Sequence, residues 1–308
     1  MSGHHHHHHH AGHAHGPAMH NRAFGLGIVL NVAFVLIESY YGLQSHSLAL
    51  LADAGHNLSD VLGLVLAWAG LLVGRLRPDD RHTYGWQRAS IMAALINALI
   101  LLFAMGSMAW EAVHRFSSPS PIAGQTVMLV AAAGVLVNGA TAWLFAAGSH
   151  GDINLRGAFL HMAADALVSL GVVLVGALYL WTGAAWLDPV TSLVIAVLVL
   201  AGTWSLFNQS LHLAFDGVPQ SVRLPEVRAH LATLPGVAAV HDLHVWAMSS
   251  TETALTAHLV MPSGHPGDAF LAGVATDLHD EFDIEHATLQ IELGDHAHPC
   301  RLATHADG

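Results

Sequence analysis

Two short stretches in otherwise apolar surroundings share one pattern: HNLSD, from His56 to Asp60, and HMAAD, from His161 to Asp165, both His-x-x-x-Asp. A spacing of four sets imidazole and carboxylate about one turn apart on the same helix face. Two such faces turned toward each other present four ligands, His56, Asp60, His161 and Asp165, as an N₂O₂ set. That set suits tetrahedral Zn²⁺ and tolerates Co²⁺ or Cd²⁺; it has too few oxygens for Ca²⁺ and no thiolate to favour Cu⁺. Each aspartate costs about 3 kcal/mol to place in the middle of a membrane span. A bound dication offsets both carboxylates, and neutral imidazoles need no counter-charge. A single His-Asp pair also serves to hydrogen-bond two helices together, but two copies at one spacing in separate spans argue for the metal. Asp53 lies on the same stripe as His56 and reads either as a support for the ligands or as the partner of an arginine such as Arg88. Glu38, near a span end, is placed to line an ion entry, whereas Asn31, Asn97 and Asn138 read as interhelical hydrogen-bond partners.

A second collection of ligating residues follows near the C-terminus. VHDLHVW supplies His241, Asp242 and His244, TAHLV supplies His258, and EHATLQIE supplies Glu285, His286 and Glu292. Alternation along a strand points His241 and Asp242 to opposite faces, so they do not all share one site. The favoured set is His241, His258, His286 and Glu292, a regulatory metal site in the cytoplasm; the bland alternative is surface or packed histidines. DHAHPC adds Asp295, His296, His298 and Cys300, whose thiolate is the one soft ligand and lies close enough in sequence to Glu292 to share or bridge that site.

The elements that must position these residues are legible in the composition. The 308 residues are 53% hydrophobic and 10% charged, with mean hydropathy +0.48, the profile of a membrane protein. Six apolar stretches are long enough to cross about 30 Å of hydrocarbon: Ala23 to Leu43, Ser47 to Val73, Ala89 to Val113, Gln125 to Ala147, Leu155 to Trp181 and Trp186 to Phe207. Arg22, Arg75, Arg77, Arg81, Arg88 and Arg156 fall on one side of these spans and only Arg115 on the other, which puts both termini in the cytoplasm of a multi-pass inner-membrane protein. Acidic residues outnumber basic ones 22 to 10, and the net charge of −12 disfavours nucleic acid while suiting a cation ligand.

The chain is expected to divide into a histidine-rich tail (1–22), a six-helix transmembrane domain (23–209), a small cytoplasmic α+β domain of αββαβ order (218–294), and a tail with His and Cys (295–308). In the third of these, 221–236 has helical spacing, VAAVHDLHVWAM and ALTAHLVMP alternate like strands, GDAFLAGVATDLHDEF is helical, and HATLQIEL closes as a strand. The His4 to His10 run reads as a metal-collecting tail or a purification tag. No apolar signal-peptide core precedes the first span, and the single cysteine, Cys300, excludes an intrachain disulfide.

With these residues in view, the sequence resembles the cation diffusion facilitator family, and in particular its zinc-exporting bacterial branch. The resemblance rests on SHSLALLADAGHNLSD, RHTYGWQRASIMAALIN, NLRGAFLHMAADALVS, WLDPVTSLVIA and VHDLHVWAM, and covers the chain from Asn21 to about Glu292. It implies a homodimer with six membrane helices per protomer and a metallochaperone-like cytoplasmic domain, exchanging cytoplasmic Zn²⁺ for protons by alternating access. The family's transport site falls on His56, Asp60, His161 and Asp165. Related members hold a second metal in the loop between the second and third spans; Asp79 and His82 match that set, but Trp86 stands at the third ligand's position. The long histidine-rich loop of many eukaryotic relatives is absent, leaving His150 between the fourth and fifth spans.

The ligand chemistry also suggests a mechanism. Metal ligands must be deprotonated, so protons and Zn²⁺ compete for one site, and ordinary values near 6.5 for His and 3.9 for Asp make the histidines the groups that exchange protons near neutrality. An intramembrane metalloprotease would need an His-Glu-x-x-His motif, which this chain lacks, and no enzymatic activity is expected. A metal-gated channel or a membrane metal sensor would use the same ligands, and efflux with Cd²⁺ or Co²⁺ as main substrate needs no change in them.

Overall fold

A computed structural model describes residues 19–118, 121–146, 153–295 and 300; the histidine run, His150, His296 and His298 lie outside the described residues. Six long helices come first: α1 (Met19–Gln44), α2 (Leu48–Gly74), α3 (Ala89–Ser117), α4 (Gly124–Ala146), α5 (Ile153–Thr182) and α6 (Leu187–Ala214). The expected spans fall on these helices to within one residue, with Ala147 outside the described residues. Among the described residues, α2 to α6 contain five stretches long and apolar enough to cross a membrane. Then follow α7 (Leu224–Thr233), β1 (Ala239–Ala247), β2 (Thr253–Val260), α8 (Asp268–Phe282) and β3 (His286–Glu292), the αββαβ order read from the sequence.

The chain forms two compact units, one of residues 1–61 with 111–195 and one of residues 62–110 with 196–308. In the first, α1, α4 and α5 pack closely because Gly134 has no side chain: a Cβ there would lie 2.7 Å from Phe34 of α1 and 3.0 Å from the Ser169 hydroxyl of α5. The start of α2 is fixed by Asp188, at the first turn of α6. Its carboxylate accepts the Ser47 hydroxyl at 2.5 Å and the backbone N–H groups of Leu48 and Ala49 at 2.9 and 3.3 Å. Ser47 in turn caps the helix by accepting Leu50 N–H at 3.2 Å, so donors that a helix start leaves unpaired are taken up without water. Arg115 lies 3.8 Å from Asp188 and also donates to the backbone carbonyl of His46.

In the second unit, a three-stranded sheet of order β1-β2-β3 pairs β1 with β2 antiparallel and β2 with β3 parallel. Leu255 and Leu259 on β2 face a core shared with Val227 and Leu231 of α7 and Val274 and Leu278 of α8. His258 occupies the alternate register and belongs to the opposite face. A bulge between His241 and His244 breaks the alternation of β1, and Asp242 takes a positive φ of 48° there. The same unit holds a cavity of 1180 Å³ between the loop after α2, the adjoining halves of α2 and α3, and β1. Leu66, Val73, Met92 and Trp246 line it, and the ion-paired Arg88 and Asp216 lie in its wall.

Candidate metal centres

The first unit brings the two His-x-x-x-Asp motifs face to face. Helical spacing puts His56 and Asp60 on one side of α2 and His161 and Asp165 on one side of α5, and the two pairs interlock crosswise. His56 Nε2 lies 3.2 Å from Asp165 Oδ1 and 3.9 Å from Asp60 Oδ2; His161 Nε2 lies 3.1 Å from Asp60 Oδ2 and 3.6 Å from Asp165 Oδ2. The rings stand edge to face, their centroids 6.1 Å apart. Tetrahedral Zn²⁺ with bonds near 2.0 Å separates neighbouring ligand atoms by about 3.3 Å, so all four His-Asp distances bracket what an ion would impose. The ligand atoms of His56, Asp60 and Asp165 lie within 4.8 Å of one another; His161 is not in that mutually close set, although its Nε2 lies near both carboxylates. Access is one-sided: the Asp165 side chain is 1% exposed, whereas His161 is 43% and Asp60 32% exposed.

Behind the ligands stands a buried polar layer. Asp53 accepts the Ser169 hydroxyl at 2.9 Å, and Glu38 accepts the Asn57 side-chain N–H at 3.4 Å. Asp53 is thus not the partner of Arg88, which pairs with Asp216 instead. Glu38 has no exposed surface, so it lines no opening in this structure.

The second unit assembles a different set. His241 Nε2 lies 3.0 Å from Glu292 Oε2, His258 Nδ1 lies 2.9 Å from Glu292 Oε1, and Cys300 Sγ is 3.6 Å from the same Nδ1. The ligand atoms of His241, His258, Glu292 and Cys300 all fall within 4.8 Å of one another. Antiparallel pairing sets His241 opposite His258, and parallel pairing brings the end of β3 alongside them. Burial works against the charge on Glu292, but hydrogen bonds from His241, Cys300 and Gln290 outweigh it and hold its carboxyl below the ordinary carboxylate value.

The structure does not bring His286 to this set. It pairs with Ala254 at the start of β3, six residues from Glu292 and therefore about 20 Å along the strand, where its ring meets Tyr84. Asp242 departs from strict alternation. The bulge places its Oδ2 3.6 Å from His258 Nε2 and its Oδ1 3.0 Å from His244 Nε2. The sequence signals for the Asp188 contact are slight: Ser47 before one helix and Asp188-Pro189 at the head of another.

Comparison with known proteins bears on both clusters. A family model described as "Cation efflux transmembrane domain" matches residues 26–213, and one described as "Cation efflux protein, cytoplasmic domain" matches residues 219–293. The chain belongs to the cation diffusion facilitator family. This family consists of membrane transporters rather than enzymes. The zinc transporter ZitB of Escherichia coli is 37% identical over 91% of this chain and 89% of its own length. The metal cation efflux system protein CzcD of Cupriavidus metallidurans is 35% identical over 95% and 92%. A Bacillus subtilis protein named cadmium, cobalt and zinc/H(+)-K(+) antiporter is 30% identical over 93% and 94%.

In this cation diffusion facilitator, the loop after α2 brings Asp79, His82 and Trp86 together. Asp79 Oδ1 accepts the backbone N–H groups of His82 and Arg81 at 2.6 and 2.8 Å, and those bonds hold its carboxyl below the ordinary value. His82 in turn stacks on Trp86 with ring centroids 4.1 Å apart. Both residues that the resemblance matched to a loop metal site are engaged within the turn.

Proposed function

We propose that this protein exports divalent metal cations, zinc foremost, from the cytoplasm in exchange for protons, and that His56, Asp60, His161 and Asp165 are the transport ligands. The observation that carries the reading is the crosswise geometry of α2 and α5, in which each imidazole lies between 3.1 and 3.9 Å from both carboxylates. Relatives named for zinc, for metal cations, and for cadmium, cobalt and zinc with protons support both the substrate class and the exchange. Zinc and protons are substrates of the same atoms. A site facing the cytoplasm loses protons and loads metal, and one facing a more acidic exterior takes up protons and releases it. Alternation between the two openings makes the exchange vectorial.

On this reading the protein works as a homodimer in the inner membrane with both termini in the cytoplasm, an orientation that the excess of arginine in the connecting loops on that side supports. The set of His241, His258, Glu292 and Cys300 binds regulatory metal, Cys300 taking the place expected of His286. The deciding experiment reconstitutes the protein in vesicles and follows Zn²⁺, Cd²⁺ and Co²⁺ flux while the pH difference is set and reversed. Metal accumulation should follow the imposed proton gradient. Flux that runs only down the metal gradient and ignores pH would make the protein a channel, and binding without flux would make it a sensor.

A further inference from the structure

Asn138 of α4 has no exposed surface, and neither atom of its amide meets a hydrogen-bond partner among the described residues. An amide buried without a partner is unfavourable, so its persistence needs an explanation. Thr141, one turn further on, does not supply one, because its hydroxyl donates to the Val137 carbonyl at 2.8 Å. The packing of α4 on α5 shows what the amide stands level with. A Cβ at Gly124 would lie 2.6 Å from the Tyr179 ring, one at Gly176 would lie 3.2 Å from Met128, and one at Gly134 would lie 3.0 Å from the Ser169 hydroxyl; Ala142 shares a small apolar cluster with Met162. Contacts that climb α4 thus descend α5, and the two helices run antiparallel. Gly134, Asn138 and Ala142 are spaced by four, and Met162, Asp165 and Ser169 by three and four, so each trio lies on one helix face. Asn138, midway between Gly134 and Ala142, is therefore opposite the midpoint of Met162 and Ser169, which falls at Asp165. That carboxylate is equally sealed. Its Oδ1 lies 3.2 Å from His56 Nε2, whereas its Oδ2, 3.6 Å from His161 Nε2, meets no hydrogen-bond donor among the described residues.

We infer that Asn138 is a positioning residue of the transport site, its amide N–H donating to Asp165 Oδ2 when a dication is bound and so fixing which carboxylate oxygen faces the ion. An imidazole nitrogen that binds metal turns its lone pair to the ion and stops being a donor. Metal at His56 and His161 therefore withdraws from Asp165 the nearest N–H groups it has. The oxygen of a buried carboxylate ligand that does not bind metal needs a donor from elsewhere in the protein, as ligating carboxylates generally have. Asn138 is at the right level, is sealed from water as Asp165 is, and has two N–H groups uncommitted. α4 contains no ionisable side chain, so this donor adds no charge that would oppose the cation. The inference rests on the transport reading given above and adds to it a residue from a third helix.

The test pairs equilibrium zinc binding by the full chain, counting only the sites lost in Asp165→Ala, with thermal unfolding of the metal-free protein. Asn138→Leu, which keeps the branching and removes both polar atoms, should weaken that binding about 10–100-fold, the usual effect of removing an outer partner of a metal ligand. The metal-free variant should unfold at the same temperature or a higher one, because the amide it replaces has no bond to lose. Asn138→Ala, which adds no bulk, should show the same loss of zinc affinity. Unchanged affinity in both variants would overturn the inference. A lower unfolding temperature with unchanged affinity would overturn it too, and would make Asn138 a strut between helices, bonded for instance to Asn31 of α1, whose amide N–H is spent on the Met162 sulfur while its Oδ1 is unpaired. Affinity lost in Asn138→Leu but kept in Asn138→Ala would assign the effect to bulk and reject the donor. If Asp165→Ala binds as much zinc as the unaltered chain, the transport reading falls and takes this inference with it. Zinc sites that need Asp165 but not Asn138 leave that reading standing and remove the inference alone.

Discussion

Asp60 and Asp165 play different parts in one cluster. Asp165 is sealed from solvent and touches both imidazoles, while Asp60 is open on the accessible side and holds His161 at 3.1 Å. Removing an outer support of a metal ligand typically costs 10–100-fold in affinity or activity, and loss of a ligand itself should exceed that. Asp60→Ala and Asp165→Ala are therefore expected to lower zinc flux into reconstituted vesicles at least about 100-fold, with the protein still eluting as a folded species. Normal transport by either variant would remove the site from α2 and α5. Glu292 carries a pH prediction. Its carboxyl sits below the ordinary value in the folded chain, so its ionised form stabilises the fold; the contribution is complete above about 4.5 and is lost as the pH falls below that value. The metal-free soluble domain should melt earlier as the pH is lowered through that range, and Glu292→Gln should flatten the dependence. The crosswise meeting of the two His-Asp pairs was legible from spacing because both members of each pair lie on one helix, where four residues mean one turn. The residues of the second cluster lie on three strands and at Cys300, so their meeting depends on register and chain return, which no local pattern encodes. His286 and Cys300 exchanged places for that reason.

Helices and strands set where these side chains point, and the closest tolerance among the helices is at Gly134. Alanine there would press on Phe34 and on Ser169, the residue that donates to Asp53. Gly134→Ala should cost about 1–3 kcal/mol in resistance to unfolding, as overpacking does. It should also disturb the polar layer behind His56, read as weaker zinc binding; a variant with unaltered stability and affinity would show that α1 and α5 have room to move. All six long helices were readable from hydropathy, since each is a near-continuous apolar run. Asp242 was less readable. Period-two alternation sends it away from His241, yet the bulge turns it toward His258, so that one imidazole meets Glu292 and Cys300 at Nδ1 and Asp242 at Nε2. An acidic partner on the far nitrogen fixes which nitrogen carries the proton and leaves the other free to bind metal. A bulge is a property of two paired strands, and neither strand announces it alone.

For the whole molecule, the absence of lysine matters as much as the presence of histidine. All 10 basic residues are arginine, permanently charged, so near neutrality the titrating cations are histidines, the residue type gathered in both metal clusters. The αββαβ order was visible because apolar runs give way abruptly to alternation and amphipathic spacing. The link between the starts of α2 and α6 was not visible, because it joins Ser47 to Asp188 across 141 residues. That link has a kinetic consequence. A contact separated by so much chain closes only after α2, α3, α4 and α5 are in place, since the entropy of closing the loop must be met by contacts formed earlier. Asp188→Ala should leave the rate of refolding almost unchanged and quicken unfolding, as read from the lifetime of the folded chain in denaturing detergent. A matching slowdown of refolding would place the link in the folding nucleus. In the first case Asp188 is a latch: it closes last and sets how long the assembled bundle survives.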